Sequence, residues 1–153
     1  TQEHALKMCQ WLEMQGVVLI EQPMPKHMNE EHRWLCEQVS LPIIADEACQ
    51  TYDDVARLQP YYDGINIKLM KCGGVAEGRK MITLARELGM QVMIGCMTET
   101  SAGISAATTL SALVDYADLD GHVLLGNDPY EGIQIVEGKL TLVDKPGTGV
   151  SLR

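Results

Sequence analysis

Gly64-Ile65-Asn66-Ile67-Lys68 is an apolar run that ends on a lysine, and it decides the fold assignment. Two earlier apolar runs end in the same way, on Glu21 and on Asp46. The three terminal residues are 25 and 22 positions apart, which leaves room for a strand, a helix and two loops in each interval. In a parallel sheet or barrel, the carboxyl ends of the strands meet at one rim. The sequence therefore predicts that Glu21, Asp46 and Lys68 lie together, as a divalent-metal site with a base beside it.

Short apolar runs alternate with helical patterns along most of the chain. The strands are predicted at 17–20, 42–45, 64–68, 91–95 and 117–120. The helices are predicted at 1–15, 29–39, 51–59, 76–88 and 103–115. Parallel strands require such crossovers, and the lack of polar alternation indicates strands that are buried on both faces. The sequence thus predicts an α/β fold of about five parallel βα units.

The end of the chain has a different pattern. Residues 133–136 and 139–143 are β-rich and flank Glu137-Gly138, which predicts a β-hairpin. We therefore divide the chain into a partial barrel over 1–130 and a hairpin and tail over 131–153. Five units do not close an eight-stranded barrel, and an open edge would leave backbone groups unpaired. We accordingly expect an N-terminal portion that precedes Thr1, and the tail would pack on the barrel or on a capping domain.

Composition excludes several classes of partner and site. The net charge of −9 argues against nucleic acid as a partner. The sequence has no run of 18 apolar residues, so no membrane span is predicted. The five cysteines are an odd number without a CxxC pair, so zinc and disulfide frameworks are not expected. A reducing cytoplasm is the predicted compartment.

Three motifs occur in a fixed order: Ile-Glu-Gln-Pro at 20–23, Ala-Asp-Glu at 45–47 and Asn-Ile-Lys-Leu-Met-Lys-Cys-Gly-Gly at 66–74. Together they resemble the barrel of the enolase superfamily, muconate lactonizing enzyme subgroup. Asp118-Leu119-Asp120 resembles the Asp-x-Asp of dipeptide epimerases of the L-Ala-D/L-Glu type. The resemblance implies that the chain is the C-terminal portion of a (β/α)7β TIM-like barrel.

The resemblance also implies a cofactor and residue roles. Glu21 and Asp46 would be two ligands of one Mg²⁺, and Lys68 would be one of two acid/base lysines. Lys71 would point elsewhere, because side chains alternate along a strand. The first of the three metal carboxylates, the opposite Lys-x-Lys and the capping domain would precede Thr1.

Further candidate residues surround this expected site. By resemblance, Asp118 and Asp120 would bind the α-ammonium of a dipeptide substrate. Glu47 is a candidate partner that supports Asp46. Met97 and Thr98 follow the strand at 91–95, so they are candidates for the lining of the substrate pocket.

The implied reaction is Mg²⁺-dependent epimerisation of a dipeptide, through an enediolate, by lysines that remove and return the α-proton. A lysine with an ordinary pKa near 10.4 is a poor base at neutral pH, so we expect the pKa of Lys68 to be lowered. Alternatives are a muconate cycloisomerase, an o-succinylbenzoate synthase, an N-acylamino acid racemase or a non-catalytic half-barrel module. The resemblance further implies a homo-oligomer for the full-length enzyme.

Overall fold

Five parallel strands form one curled sheet in the computed structural model, which describes all of residues 1–153. The strands are β1 Ile20–Glu21, β2 Ile43–Ala45, β3 Gly64–Lys68, β4 Gln91–Gly95 and β5 Tyr116–Ala117. They lie in the order of the sequence, and each neighbouring pair is parallel. This is the arrangement of the C-terminal part of a TIM-like barrel, so the predicted fold is confirmed.

Helices connect the strands. They are α1 Gln2–Met14, α2 Asn29–Cys36, α3 Tyr52–Leu58, α4 Leu69–Cys72, α5 Val75–Glu87 and α6 Ser101–Thr108. Helix α3 begins with a capping box, in which Thr51 and Asp54 satisfy each other's backbone amides. Helix α5 is followed by Gly89, whose φ of +72° is the left-handed conformation that ends many helices.

Side chains alternate between the two faces of the sheet, and this alternation separates the core from the site. The helix-facing positions contribute to a core of 25 buried residues. On the strands, the members of this core are Ile20, Ile43, Ala45, Ile65, Ile67, Val92 and Ile94. The intervening positions, such as Ile44, Asn66 and Met93, are buried but lie outside that cluster. They face the concave side of the sheet, where a barrel has its interior.

Some predicted boundaries are wrong. The helix predicted at 103–115 runs only over Ser101–Thr108 and is followed by a 3₁₀ turn at Ser111–Leu113. The hydroxyls of Thr109 and Ser111 bond to the carbonyls of Ala106 and Thr108, and such bonds compete with continued helix. The helix predicted at 29–39 likewise ends at Cys36. The strands predicted at 17–20 and 117–120 are Ile20–Glu21 and Tyr116–Ala117.

The C-terminal hairpin is present as β7 Gln134–Val136 and β8 Lys139–Thr141. Its turn has positive φ at Glu137 and Gly138, as a two-residue type I′ turn requires. A second pair, β6 Tyr130–Glu131 with β9 Ser151–Leu152, was not predicted. Ile133 belongs to the main core, and Leu140 packs against it. The division of the chain at residue 130 stays a prediction.

All five cysteines are free, and Cys9 and Cys49 are almost completely buried. Cys36, the last residue of α2, is partly buried, and its Sγ lies 3.5 Å from the carbonyl oxygen of Tyr61. None of the helices is long and apolar enough to span a membrane.

Candidate active site

The three residues that end β1, β2 and β3 meet on the rim of the sheet. Nζ of Lys68 lies 2.9 Å from Oδ2 of Asp46 and 3.7 Å from Oε1 of Glu21. The Lys68 side chain is 14% exposed and that of Asp46 is 9% exposed, so their charges interact with little screening by solvent. The structure therefore brings together the two carboxylates and the amine that the sequence pattern singled out.

Lys71 also reaches this site, and the prediction that it points elsewhere is wrong. Its Nζ contacts Oδ1 of Asp46, and its side chain is 10% exposed. The strand alternation ends at Lys68, because Leu69–Cys72 forms a helical turn. Residues three apart on a helical turn lie on one side, which places Lys71 beside Lys68. We call Glu21, Asp46, Lys68 and Lys71 the lysine–carboxylate cluster.

Contacts within the cluster shift the pKa values of Asp46 and Lys68. Burial by itself would raise the pKa of Asp46, but the hydrogen bonds from Lys68 and Lys71 hold it below its ordinary value. Burial opposes the charge on Lys68, yet the hydrogen bond and charge of Asp46, with the charge of Glu21, hold its pKa above its ordinary value. This is opposite to the lowered pKa expected of a base, because carboxylates are its nearest charged neighbours. In this arrangement Lys68 is an ammonium ion.

Asn66 is a member of the site that the sequence reasoning missed. It lies in the middle of β3, is 1% exposed, and donates from Nδ2 to Oε1 of Glu21 at 2.5 Å. The signal was available, because an asparagine in the apolar run of a buried strand is unfavourable unless its amide has a partner.

Gln22 is the other missed residue, and it joins the end of β1 to the loop after β2. Its Oε1 accepts hydrogen bonds from the backbone amides of Asp46 and Ala48, both at 2.9 Å. Its Nε2 donates to Oε2 of Glu47, also at 2.9 Å. Glu47 is thus linked to Asp46 through Gln22, and its supporting role stays a prediction.

The chemistry of the cluster fits a hard dication. Carboxylate oxygens are the ligands that Mg²⁺ takes, and Glu21 and Asp46 offer them within ion-pair distance of one nitrogen. The chain has no group of three or more His, Cys, Asp or Glu side chains that could hold a metal ion. Glu21 and Asp46 by themselves could supply two ligands of such an ion.

The other predicted residues lie beyond β4 and β5, and we call them the Asp-x-Asp rim: Met97, Thr98, Asp118 and Asp120. The backbone amide of Asp118 bonds to the carbonyl of Ile94, so this rim continues the same edge of the sheet. All four residues are exposed. No hydrogen bond or ion pair of the side chains joins the rim to the lysine–carboxylate cluster.

The rim is strongly acidic. Burial raises the pKa of Cys96, and the charges of Asp118, Glu99 and Asp120 raise it further, against a hydrogen bond from the backbone of Gly121. The side chains of Asp118 and Asp120 have no cation beside them in the chain. A ligand with a positive charge would complement them.

A family model described as enolase C-terminal domain-like matches residues 1–153. An L-Ala-D/L-Glu epimerase of Bacteroides thetaiotaomicron is 54% identical over 148 residues, which are 97% of this chain and 39% of that protein. An L-Ala-D/L-Glu epimerase of Escherichia coli is 40% identical over 134 residues, which are 88% of this chain and 41% of that protein.

Solved structures of dipeptide epimerases are also similar to this chain. The substrate-liganded L-Ala-D/L-Glu epimerase from Bacillus subtilis has a TM-score of 0.88 at 30% identity, over 97% of this chain and 44% of that one. The dipeptide epimerase from Enterococcus faecalis, complexed with Mg and L-Leu-L-Tyr, has a TM-score of 0.90 at 38% identity. The match covers 99% of this chain and 45% of that one. The chain thus spans less than half the length of these relatives.

Proposed function

This chain belongs to the enolase C-terminal domain-like family, and from that membership we propose that it is the lysine-bearing part of a dipeptide epimerase. The proposed substrates are dipeptides of the L-Ala-D/L-Glu class, since relatives that match nearly the whole chain carry that name. The observation that carries the proposal is the contact of Lys68 with both strand-end carboxylates.

We propose Mg²⁺ as the cofactor, with Glu21 and Asp46 as two of its ligands. Two structurally similar dipeptide epimerases are complexed with Mg, which supports this choice, as does the oxygen chemistry of the two side chains. When bound, Mg²⁺ would supply positive charge beside the substrate carboxylate, where negative charge grows as the α-proton leaves. The remaining ligands would come from outside residues 1–153 or from water.

Lys68 would transfer the proton at its Nζ. In the ammonium form that Asp46 and Glu21 stabilise, it can return a proton to the α-carbon but cannot remove one. Removal of a proton requires that the hold of the two carboxylates on Nζ be released, so that the pKa of Lys68 falls. Inversion also needs a second proton carrier on the opposite face of the substrate. By family resemblance, we assign that role to a Lys-x-Lys outside this sequence.

Asp118 and Asp120 would bind the α-ammonium of the dipeptide, with Met97 and Thr98 beside it. Their exposure and their lack of a cationic partner in the chain support this role. Glu47 would hold Gln22, which in turn holds the backbone of Asp46. A homo-oligomer and a reducing, cytoplasmic setting complete the proposal; the free cysteines support the second.

The test is an assay of the full-length protein with a dipeptide library in D₂O and Mg²⁺. Epimerisation should be accompanied by one α-deuterium at the inverted residue, which mass spectrometry detects. Glu21→Gln and Asp46→Asn should abolish turnover and weaken Mg²⁺ binding in calorimetry. Glu77→Gln is the matched control, because it removes a carboxylate from an exposed ion pair with Lys80.

The alternatives predict different outcomes in the same assay. An N-acylamino acid racemase would exchange the α-proton of acylated amino acids and leave free dipeptides unchanged. A cycloisomerase or an o-succinylbenzoate synthase would show no exchange with either substrate class. A non-catalytic module would bind no Mg²⁺, and that result would overturn the proposal.

A further inference from the structure

Asn66 occupies a position where a polar side chain is unfavourable for folding. It lies between Ile65 and Ile67 on a fully paired strand, and burial of an amide costs free energy for each atom without a partner. Its Nδ2 has a partner in Glu21, but its Oδ1 is buried without one. A β-branched residue would satisfy the strand better. The gain from Asn66 must therefore lie in what its amide does for Glu21.

Gly95 provides the space in which this amide sits. Lys68 pairs with Gly95 across β3 and β4, so residue 95 lies next to the amide of Asn66. A Cβ at Gly95 would lie 2.7 Å from both Nδ2 and Oδ1 of Asn66, closer than such contacts allow. The three atoms nearest to that Cβ all belong to the amide group of Asn66. Any side chain at position 95 would therefore displace the amide.

The amide restricts the orientation of Glu21. Oε1 of Glu21 accepts from Asn66 and lies 3.7 Å from Nζ of Lys68, so this oxygen is engaged from two directions. Oε2 makes no hydrogen bond in the chain, and it is the oxygen left for an outside ligand. Without Asn66, only the longer contact with Lys68 would restrain the Glu21 side chain, which is 31% exposed.

We propose that Asn66 is a positioning residue, held by the absence of a side chain at Gly95, that orients the Glu21 carboxylate for Mg²⁺. The inference rests on the proposed function, because it takes Glu21 as a metal ligand. Partners of this kind, which hold a metal ligand without touching the metal, typically change metal affinity by about 10–100-fold when removed.

The first variant is Asn66→Leu in the full-length protein. It keeps the volume and removes the donor. The Mg²⁺ dissociation constant, measured by calorimetry, should rise by about 10–100-fold, and the Mg²⁺ concentration for half-maximal rate should rise with it. Much of kcat should return at saturating Mg²⁺. Met93→Leu, a buried neighbour on the same concave face, is the control and should change the dissociation constant less than about twofold.

The second variant, Gly95→Ala, leaves Asn66 unchanged and displaces its amide. It covers the case in which Asn66→Leu does not fold. The dissociation constant for Mg²⁺ should again rise, by about tenfold. Gly126→Ala is the matched control, because a Cβ there meets nothing within 4 Å. If folded Asn66→Leu or Gly95→Ala binds Mg²⁺ as the wild type does, the inference is wrong.

A measurement without metal separates this inference from the proposed function. In EDTA, Asn66→Leu and Glu21→Ala should be non-additive, with a double-variant Tm loss about 2–4 °C smaller than the sum of the single losses. Additive losses would contradict the hydrogen-bonded pair even if the wild type binds Mg²⁺. A wild type that binds no Mg²⁺ would overturn the metal role of Asn66 together with the proposed function.

Discussion

The lysine–carboxylate cluster and the Asp-x-Asp rim lie on the same edge of the sheet but differ in how their charges are satisfied. In the cluster, each carboxylate has an ammonium within 4 Å, and Asp46, Lys68 and Lys71 are at most 14% exposed. On the rim, Asp118 and Asp120 are exposed and have no cation in the chain. The cluster is preorganised by its own residues, whereas the carboxylates of the Asp-x-Asp rim have no positively charged partner in the chain.

Under the proposed function, the cluster would carry out the reaction and the Asp-x-Asp rim would bind the substrate. Charges that are buried and paired hold their geometry, as proton transfer requires. Exposed carboxylates without a partner can attract any positively charged ligand. We therefore expect changes in the cluster to affect turnover or folding strongly, and changes on the rim to affect the preference for substrate more weakly.

The largest effect should come from Lys68→Met. Removal of the proton carrier should lower kcat for epimerisation by about 10⁴-fold, the upper range for a general acid or base. The measurement is turnover at saturating Mg²⁺, together with α-deuterium exchange from each enantiomer. Lys80→Met, which removes an exposed lysine on α5, should leave both unchanged. Wild-type turnover in Lys68→Met would show that the cluster does not carry the reaction.

Lys71→Met tests whether the cluster is held together by its own charges. The variant should lose about 2 kcal/mol of unfolding free energy without Mg²⁺, less than for a pair left with no partner, because Lys68 still bonds Asp46. Saturating Mg²⁺ should reduce this loss, since the ion would take over the role of the missing ammonium. Urea unfolding with and without Mg²⁺ measures both values. Lys26→Met, an exposed lysine in the loop after β1, is the control. Equal losses in the two conditions would contradict a metal beside Asp46.

Asp120→Asn tests the rim. Because the carboxylate is exposed, we expect kcat/KM for a free dipeptide to fall by only about tenfold, or about 1.4 kcal/mol. N-acetylation of the substrate should lower kcat/KM of the wild type by a similar factor, and that of the variant by little more. Equal rates of the wild type with free and acetylated dipeptides would show that the rim does not bind an ammonium.

The smallest effect concerns Asp54 and the loop that follows Asp46. Burial opposes the charge of Asp54, but hydrogen bonds from Arg57, the amides of Gln50 and Thr51, and the Thr51 hydroxyl lower its pKa to about 2. Arg57 also donates to the carbonyl of Ala48, so this box anchors the loop that follows Asp46.

Since the folded pKa of Asp54 lies below its unfolded value near 3.9, its contribution is complete above that value and is lost as the pH falls toward 2. Asp54→Asn should therefore lose about 1 kcal/mol of unfolding free energy at pH 7, with a smaller loss below about pH 4. Asp53→Asn, an exposed neighbour, is the control for unfolding titrations across this range. A loss that does not change with pH would contradict the lowered pKa.

The sequence predicts the order of the strands well, because most of them are short apolar runs separated by helical patterns. Gly64–Lys68 and Gln91–Gly95 have the predicted boundaries. Prediction failed where the two-residue alternation of a strand gives way to a helical turn. Lys71 was placed by strand alternation, but the chain turns into α4 one residue after Lys68, and no residue type marks that change.

The side-chain contacts between strands were also not predicted from the sequence. Asn66 and Glu21 are 45 positions apart and belong to strands that are not neighbours. Their hydrogen bond depends on the curl of the sheet and on the space at Gly95, which no local pattern reports. The same is true of Gln22, whose amide bridges two loops.

The thiols of Cys36 and Cys49 can report local opening of the fold. Burial raises the pKa of Cys36 and of Cys49 to about 12, so both carry almost no thiolate at pH 8 in the folded state. Alkylating reagents attack the thiolate, so modification of these cysteines has to wait for a local opening that returns each pKa toward its ordinary value. The rate of alkylation, resolved by peptide mass spectrometry, therefore measures how often α2 and the loop after β2 open, with no label added to the protein.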